Sequence, residues 1–179
     1  MSLLKLYVPA LIVLFLIACK EPDPNINSEG SDEFKSLEIT TSLNPDEMQF
    51  LDEVYIPIYS NIYIDKYKQK TLLAATLSIR NTSYTDSLFV TKVDYYDTDG
   101  HIAKTFLDNT INIPPMATVD YVIEKEDDTG GAGANFMVSL QGKNKHMRPM
   151  IQAIMIGEFG NVGFAFSTDG WSVGKSNGQ

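Results

Sequence analysis

The sequence predicts an all-β protein: an antiparallel, immunoglobulin-like β-sandwich of about 7–8 strands, behind an N-terminal signal peptide and a flexible tether. Three observations lead there. From Glu53 onward, apolar residues recur at every second position in short runs. Turn signals such as Asp99-Gly100 and Gly160-Asn161 separate those runs. No competing helical period appears over the same stretch. The expected division is a lipoprotein signal peptide at 1–18, a lipidated cysteine and mostly flexible tether at 19–49, the sandwich at 50–170, and a C-terminal tail at 171–179.

The first element is a targeting segment. Met1 to Lys5 forms a short positive end, and Leu6 to Ala18 is almost wholly apolar. A bilayer-spanning helix needs about 20 such residues, so this run has the proportions of a secretory signal instead. It ends in Leu16-Ile17-Ala18-Cys19, which resembles a bacterial lipobox. The resemblance implies lipid transfer to the Cys19 sulfur, cleavage before it and acylation of the new amino group. A single acyl chain anchors a protein marginally, whereas two or more hold it stably. Lys20 stands where some such proteins carry the aspartate that retains them at the inner membrane. Cys19-Lys20-Glu21 is also similar to surface-export tags of certain Gram-negative lipoproteins. The expected address is the outer membrane, with the face left open.

Lys20 to about Glu33 holds Pro22, Pro24, Asn25, Asn27, Ser28, Gly30 and Ser31, too polar to bury, and reads as the tether. Phe34 to Gln49 is ambiguous, with a brief alternation at Leu37-Glu38-Ile39 and one helical turn signalled at Asn44-Pro45-Asp46-Glu47. Val54 to Tyr63 reads as an edge strand, because Pro57 cannot donate to a ladder. Leu73, Ala75, Leu77 and Ile79 make the clearest half-buried strand, and Phe89 to Tyr95 follows the same pattern. Ile102 to Leu107 returns from the hairpin turn, and Val119, Tyr121 and Ile123 alternate, as do Phe136, Val138 and Leu140. Ile151 to Ile156 is apolar on both sides, which suggests a central strand, and Val162, Phe164 and Phe166 close the series.

Composition excludes several function classes. The formal net charge is −9 with no long basic run, so nucleic acid is not an expected partner. Cys19 is the single cysteine, which leaves no intrachain disulfide, Cys-rich zinc site or CxxC redox pair. The stretch EKEDDTGGAGANFMV (124–138) raises the question of a phosphate loop. Such loops work because a helix N-terminus follows the glycines. Here a strand-like alternation follows, and no Gly-Lys-Ser/Thr ending is present. Glu124, Glu126, Asp127 and Asp128 would each repel a phosphate charge by about 0.6 kcal/mol at about 7 Å in water. The glycines are expected to serve a turn that uses positive φ.

Little catalytic material remains. His101 follows a turn and His146 sits in the basic loop Lys143 to Arg148; GxSxG and HExxH are absent. Tyr55, Tyr59 and Tyr63 fall on one face of a strand, where they either stack on sugar rings or, more commonly, pack into the core. Arg80 at a strand end either clamps a carboxylate or pairs with a surface acid. If successive strands are antiparallel, every second connection shares a pole. One pole then gathers Asp65–Lys70, Asp97–Gly100, Lys125–Asn135 and Glu158–Gly160, and the other Asn81–Asp86, Asp108–Met116 and Lys143–Arg148. The first is the candidate binding pole, carried by Asp97, Asp99, Asp127, Asp128, Gly131, Gly133 and Asn135. Its four aspartates are the place where Ca²⁺ would sit if this protein held a metal, although acidic loops are usually only solvated.

VYIPIYSNIY (54–63), LAATLSIRNT (73–82), VDYYDTDG (93–100), GGAGANF (130–136) and IQAIMIGEFG (151–160), in that order, resemble the bacterial family catalogued as domain of unknown function 3124. The resemblance covers about Val54 to Phe166, with one departure at Asn61, a position we associate with histidine in the family. It implies a single secreted or lipid-anchored domain and supplies no substrate, cofactor or catalytic residue. The expectation is a lipid-anchored, non-catalytic envelope protein that contacts a protein or glycan partner without a cofactor. The alternatives are an envelope polysaccharide hydrolase using a carboxylate pair, and a spacer with no ligand.

Overall fold

The alternation seen in the sequence resolves into eleven strands in a computed structural model that describes residues 34–67 and 69–174. The signal segment, Cys19, the expected tether up to residue 33 and residues 175–179 lie outside the described residues. In chain order the strands are β1 (Phe50–Pro57), β2 (Asn61–Tyr63), β3 (Lys70–Arg80), β4 (Leu88–Tyr96), β5 (Ile102–Thr105) and β6 (Ile111–Ile113). They continue with β7 (Thr118–Ile123), β8 (Asn135–Gly142), β9 (Met150–Phe159), β10 (Val162–Asp169) and β11 (Trp171–Gly174). One sheet runs β11-β1-β8-β4-β5 with β6 also on β4; the other runs β10-β9-β3-β2 with β7 also on β3. Every pairing is antiparallel. The fold is an all-β sandwich.

Alternation decides what lies between the sheets. Leu73, Ala75, Leu77 and Ile79 of β3 face Val54 and Ile56 of β1, Val93 and Tyr95 of β4, and Phe136, Val138 and Leu140 of β8, all buried. Each large side chain removed from water contributes about 1.5–3 kcal/mol. Phe106 bridges the core aromatics, with its ring 5.2 Å from Tyr121 and 5.8 Å from Phe136.

Eleven strands replace the expected 7–8, and three elements differ from the sequence expectation. The strand expected over Val54 to Tyr63 breaks, and its halves join different sheets: Ile58 N donates to Ala134 O and Ser60 N to Gly131 O between them. The tyrosines therefore form no stripe. Tyr55 stays in β1, Tyr59 packs edge-on to Phe166, and exposed Tyr63 takes Lys70 over its ring. The expected tether stops short of 49. Phe34 stacks 5.3 Å from Tyr121, Glu38 bridges to Ile111, and Met48 is buried.

The expected tail begins with β11, paired to β1. The chain crosses from one sheet to the other at Gly170, where a Cβ would lie 2.6 Å from Val54 Cγ1. The expected central strand is β9, which has neighbours on both edges, although its outward Ile154 and Ile156 are 45% and 55% exposed. The apolar double face of that strand is centrality within a sheet, without a covering layer.

Candidate functional site

The acidic, glycine-rich connections meet at one pole, and hydrogen bonds among them define how. Thr98 N and Thr98 Oγ1 both donate to Gly130 O at 2.9 Å, and Gly133 N donates to Thr98 Oγ1 at 2.9 Å. Gly131 has φ +71°, and a Cβ there would sit 2.6 Å from Thr98 Oγ1. Beneath them the Tyr95 hydroxyl shares a buried hydrogen bond with Ser60 Oγ, and burial pushes the Tyr95 phenol above its ordinary range. The glycine loop is a lid on a buried tyrosine. On the far side, Lys125 Nζ pairs with Glu158 at 2.6 Å, which ties the β9–β10 turn to the same pole.

The candidate carboxylates at this pole are engaged by their own loops. Asp97 Oδ1 accepts from Asp99 N at 2.9 Å and from His101 N at 2.8 Å, and those amides hold its carboxyl below the usual range, the His101 amide foremost. Asp127 Oδ1 accepts from Thr129 N and Thr129 Oγ1. Asp97, Asp99 and His101 gather their ligand atoms within 4.8 Å; Asp127 and Asp128 do not join that group. Two carboxylates and an imidazole fall short of the six or more oxygens Ca²⁺ takes. Asn135 opens β8 opposite Pro57 and Tyr96, the residue before Asp97.

The opposite pole is equally bound together. Asn81 is buried, and its Nδ2 donates to the carbonyls of Asp86, Ile113 and Pro114. Asn144 Nδ2 donates to the Asp86 carboxylate at 3.1 Å, and with Thr85 it holds that carboxyl below its usual range. Beside this pole, a groove of about 310 Å³ opens between β1, β11 and the basic loop, lined by Gln49, Phe50, Asp52, Lys145, Arg148 and Ser172 among others. Ser172 Oγ donates to Asp52 Oδ1 there. Asp52 is the one carboxylate among the described residues of that lining.

A third surface lies on the outer face of the first sheet. The register sets Trp171, Tyr55, Met137, Asp94 and Thr105 in one row across five strands. Facing residues of neighbouring strands stand about 4.5–5.5 Å apart at Cβ. Trp171 is 71% exposed, whereas Asp94 is 3% exposed although it points outward. Lys92 Nζ covers Asp94 at 2.8 Å and Thr105 Oγ1 donates to it at 2.9 Å; the carboxylate in turn raises the Lys92 pKa. Glu53, Ser139 and Lys92 form the next row on one side, and Pro57, Asn135, Tyr96 and Ile102 the row on the other. Aromatic rings at one end of the row and hydrogen-bonding groups at the other thus share one sheet face.

A model of one protein family matches residues 51–173, most of the chain. The chain belongs to the family described as Protein of unknown function (DUF3124). The family match starts within β1 and ends within β11, so the strand expected as a tail is part of the family's unit. No curated protein matches the chain. Among solved structures, "Crystal Structure of Thermotoga maritima 1070" is similar over 69% of this chain and 96% of its own, at 13% identity and a TM-score of 0.41. That likeness is too slight to carry an argument.

Of the surfaces just described, the aromatic row was missed from the sequence. Trp171 and Val173 alternate after Asp169-Gly170, a turn signal of the kind used elsewhere in the chain, and that was the legible clue. Nothing in the sequence marks the row itself, since its five members come from five strands.

Proposed function

We propose that this protein is a lipid-anchored, non-catalytic binding module of the cell envelope, an immunoglobulin-like sandwich that holds a glycan partner. Cys19 is its lipid attachment point and the outer membrane its address, on the strength of the short apolar run and the lipobox-like ending. The single observation that carries the binding role is the row headed by exposed Trp171. A tryptophan left 71% exposed on a sheet face costs apolar hydration that burial would relieve. Its flat ring matches the C–H face of a sugar, while Glu53, Lys92 and Asn135 in the adjoining rows supply hydrogen bonds.

Two features favour binding over hydrolysis. The groove beside β11 offers one carboxylate where glycoside hydrolysis uses two. The perturbed carboxyls, Glu47, Asp86, Asp97 and Glu158, are all lowered, opposite to the raised carboxyl of a general acid. Affinity electrophoresis of the full chain through gels containing soluble polysaccharides tests the reading. The wild type is retarded by at least one polysaccharide and Trp171→Ala runs free, with unchanged melting temperature. No retardation by any polysaccharide, or equal retardation of both proteins, refutes it.

A further inference from the structure

We infer that the groove between β1, β11 and the basic loop takes a carboxylate-bearing sugar, the uronate of an acidic polysaccharide, held by Arg148 and Lys145. This deepens the glycan reading and rests on it. Charge makes the groove unusual. The chain carries −9 overall, and Lys92, Lys125 and Lys143 each have an acid within 2.8 Å. Among the described residues Lys66, Lys70, Arg80, Lys104, Lys145 and Arg148 have no ion-paired acid; Lys66, Lys70 and Lys104 lie over aromatic rings, and Lys145 and Arg148 are the two that line one groove. Arg148 gives one Nη1–H to Met147 O at 2.9 Å, which leaves most of its five donors unspent. Asp52, the groove's carboxylate, is turned to the Ser172 hydroxyl.

Two cations against Asp52 leave one positive charge, which suits a singly charged carboxylate better than a phosphate dianion. The guanidinium fork matches that group bidentately. Phe50 and Leu51 add apolar lining for a sugar's C–H face. At about 310 Å³ the groove lies at the small end of ligand sites, which run to about 1,000 Å³, and suits a unit of monosaccharide size.

The loop that carries the cations is also held in place before any ligand arrives. Lys143 Nζ pairs with Glu47 at 2.6 Å at one end of the loop, and Thr82 Oγ1 donates to Arg148 O at the other. Between them Met147 is buried, and Gly142 makes room for it: a Cβ there would lie 2.3 Å from Met147 Sδ. His146 N donates to Asn144 Oδ1 at 2.9 Å. A loop fixed at three points loses little further freedom on binding.

Trp171 is the single tryptophan and precedes Ser172 of the groove lining, but successive strand residues point to opposite faces, so calorimetry is the primary readout of the groove and fluorescence the readout of the Trp171 row. The full chain is titrated with trigalacturonate and with its methyl-esterified, neutral counterpart, by calorimetry and in parallel by fluorescence. The acid is expected to bind at least about tenfold more tightly than the ester, the value of a hydrogen-bonded charge. That preference disappears in Lys145→Ala/Arg148→Ala and weakens in Arg148→Lys, both with wild-type melting temperature. Equal binding of acid and ester, or a preference that survives in the double variant, overturns the groove assignment and leaves the glycan reading standing. A poly-glutamate peptide that binds more tightly than trigalacturonate overturns the saccharide class. Binding of neither sugar by either method overturns the assignment, and the electrophoretic result then decides separately whether the glycan reading falls with it.

Discussion

Gly130→Ala tests whether the glycine loop is a structural lid. Gly130 has φ −74° and ψ −26°, a backbone that any residue adopts, so a methyl group there meets no conformational penalty. Space is the whole obstacle. The new Cβ would lie 1.9 Å from the Tyr95 hydroxyl oxygen, 2.5 Å from Tyr95 Cζ and 2.7 Å from Ala134 Cβ. Tyr95 is fully buried and tilts against Phe136 at 5.5 Å, so it has no free direction of retreat. Overpacking of this kind costs about 1–3 kcal/mol, and losing the buried hydrogen bond to Ser60 adds about 1–3 kcal/mol. A total near 3 kcal/mol lowers the urea midpoint by roughly 1.5 M at an m-value of about 2 kcal/mol/M. Urea unfolding of the full chain, followed by circular dichroism, measures it. Tyr95→Phe removes the closest atom and leaves Cζ, so it should recover about 1 kcal/mol of the loss when combined with Gly130→Ala. A Gly130→Ala protein within about 0.5 kcal/mol of wild type, or strictly additive single variants, would refute the lid.

Three further outcomes are expected. Ending the chain at residue 170 removes β11, uncovers the β1 edge and should lower the melting temperature relative to a chain ending at 174; equal melting temperatures would mean that β11 adds nothing. Cys19→Ala should abolish incorporation of labelled fatty acid and shift the protein out of the detergent phase, and unchanged labelling would remove the anchor. Acid should destabilise the fold. Glu47, Asp86, Asp97 and Glu158 have carboxyls lowered by Lys143, Asn144, the His101 amide and Lys125 respectively. The unfolded chain therefore takes up protons first as pH falls, and the stability these groups give is present above their unfolded pKa, about 4, and lost as pH drops through the lower folded values. The melting temperature should be level between about pH 5 and 7 and fall below about pH 4, and a rise on acidification would contradict this.

How legible the sandwich was depends on which face a strand turns inward. Leu73 to Ile79 and Val119 to Ile123 alternate cleanly because one face of each is core, and both strands lie close to where the pattern puts them. The pattern failed where the chain changes sheets. Val54 to Tyr63 reads as continuous because Ile56 and Ile58 are both buried, each against a different stretch of the interior, and alternation does not register the crossing between them. β6 and β11 are short, at three and four residues, and a period needs more repeats than that to show. Phe34 and Met48 escaped notice for another reason. Single apolar residues in polar surroundings have no period, and only the tertiary partner, Tyr121 for Phe34, shows that they dock.

Gathering acids at one pole is a matter of topology, and counting turns brings Asp97 and Asp127 to the same end. Whether a carboxylate is available is a matter of its nearest amides. Asp97 is two and four residues from the N–H groups it holds, and Asp127 is two from Thr129, so both are spent on shaping their own turns. An Asp followed by Gly or Thr in a tight connection is therefore weak evidence for a cation site, since the same residue type is what the turn itself selects. The reverse holds for Lys145 and Arg148. They sit in a loop whose neighbours Lys143 and Asn144 are bound to Glu47 and Asp86, while among the described residues no ion pair joins Lys145 or Arg148 to an acid. Their accessibility follows from the loop being held elsewhere. On the proposal made above, a ligand is recognised by charges that folding has not already consumed, and this favours the groove beside β11 over the acids around the glycines.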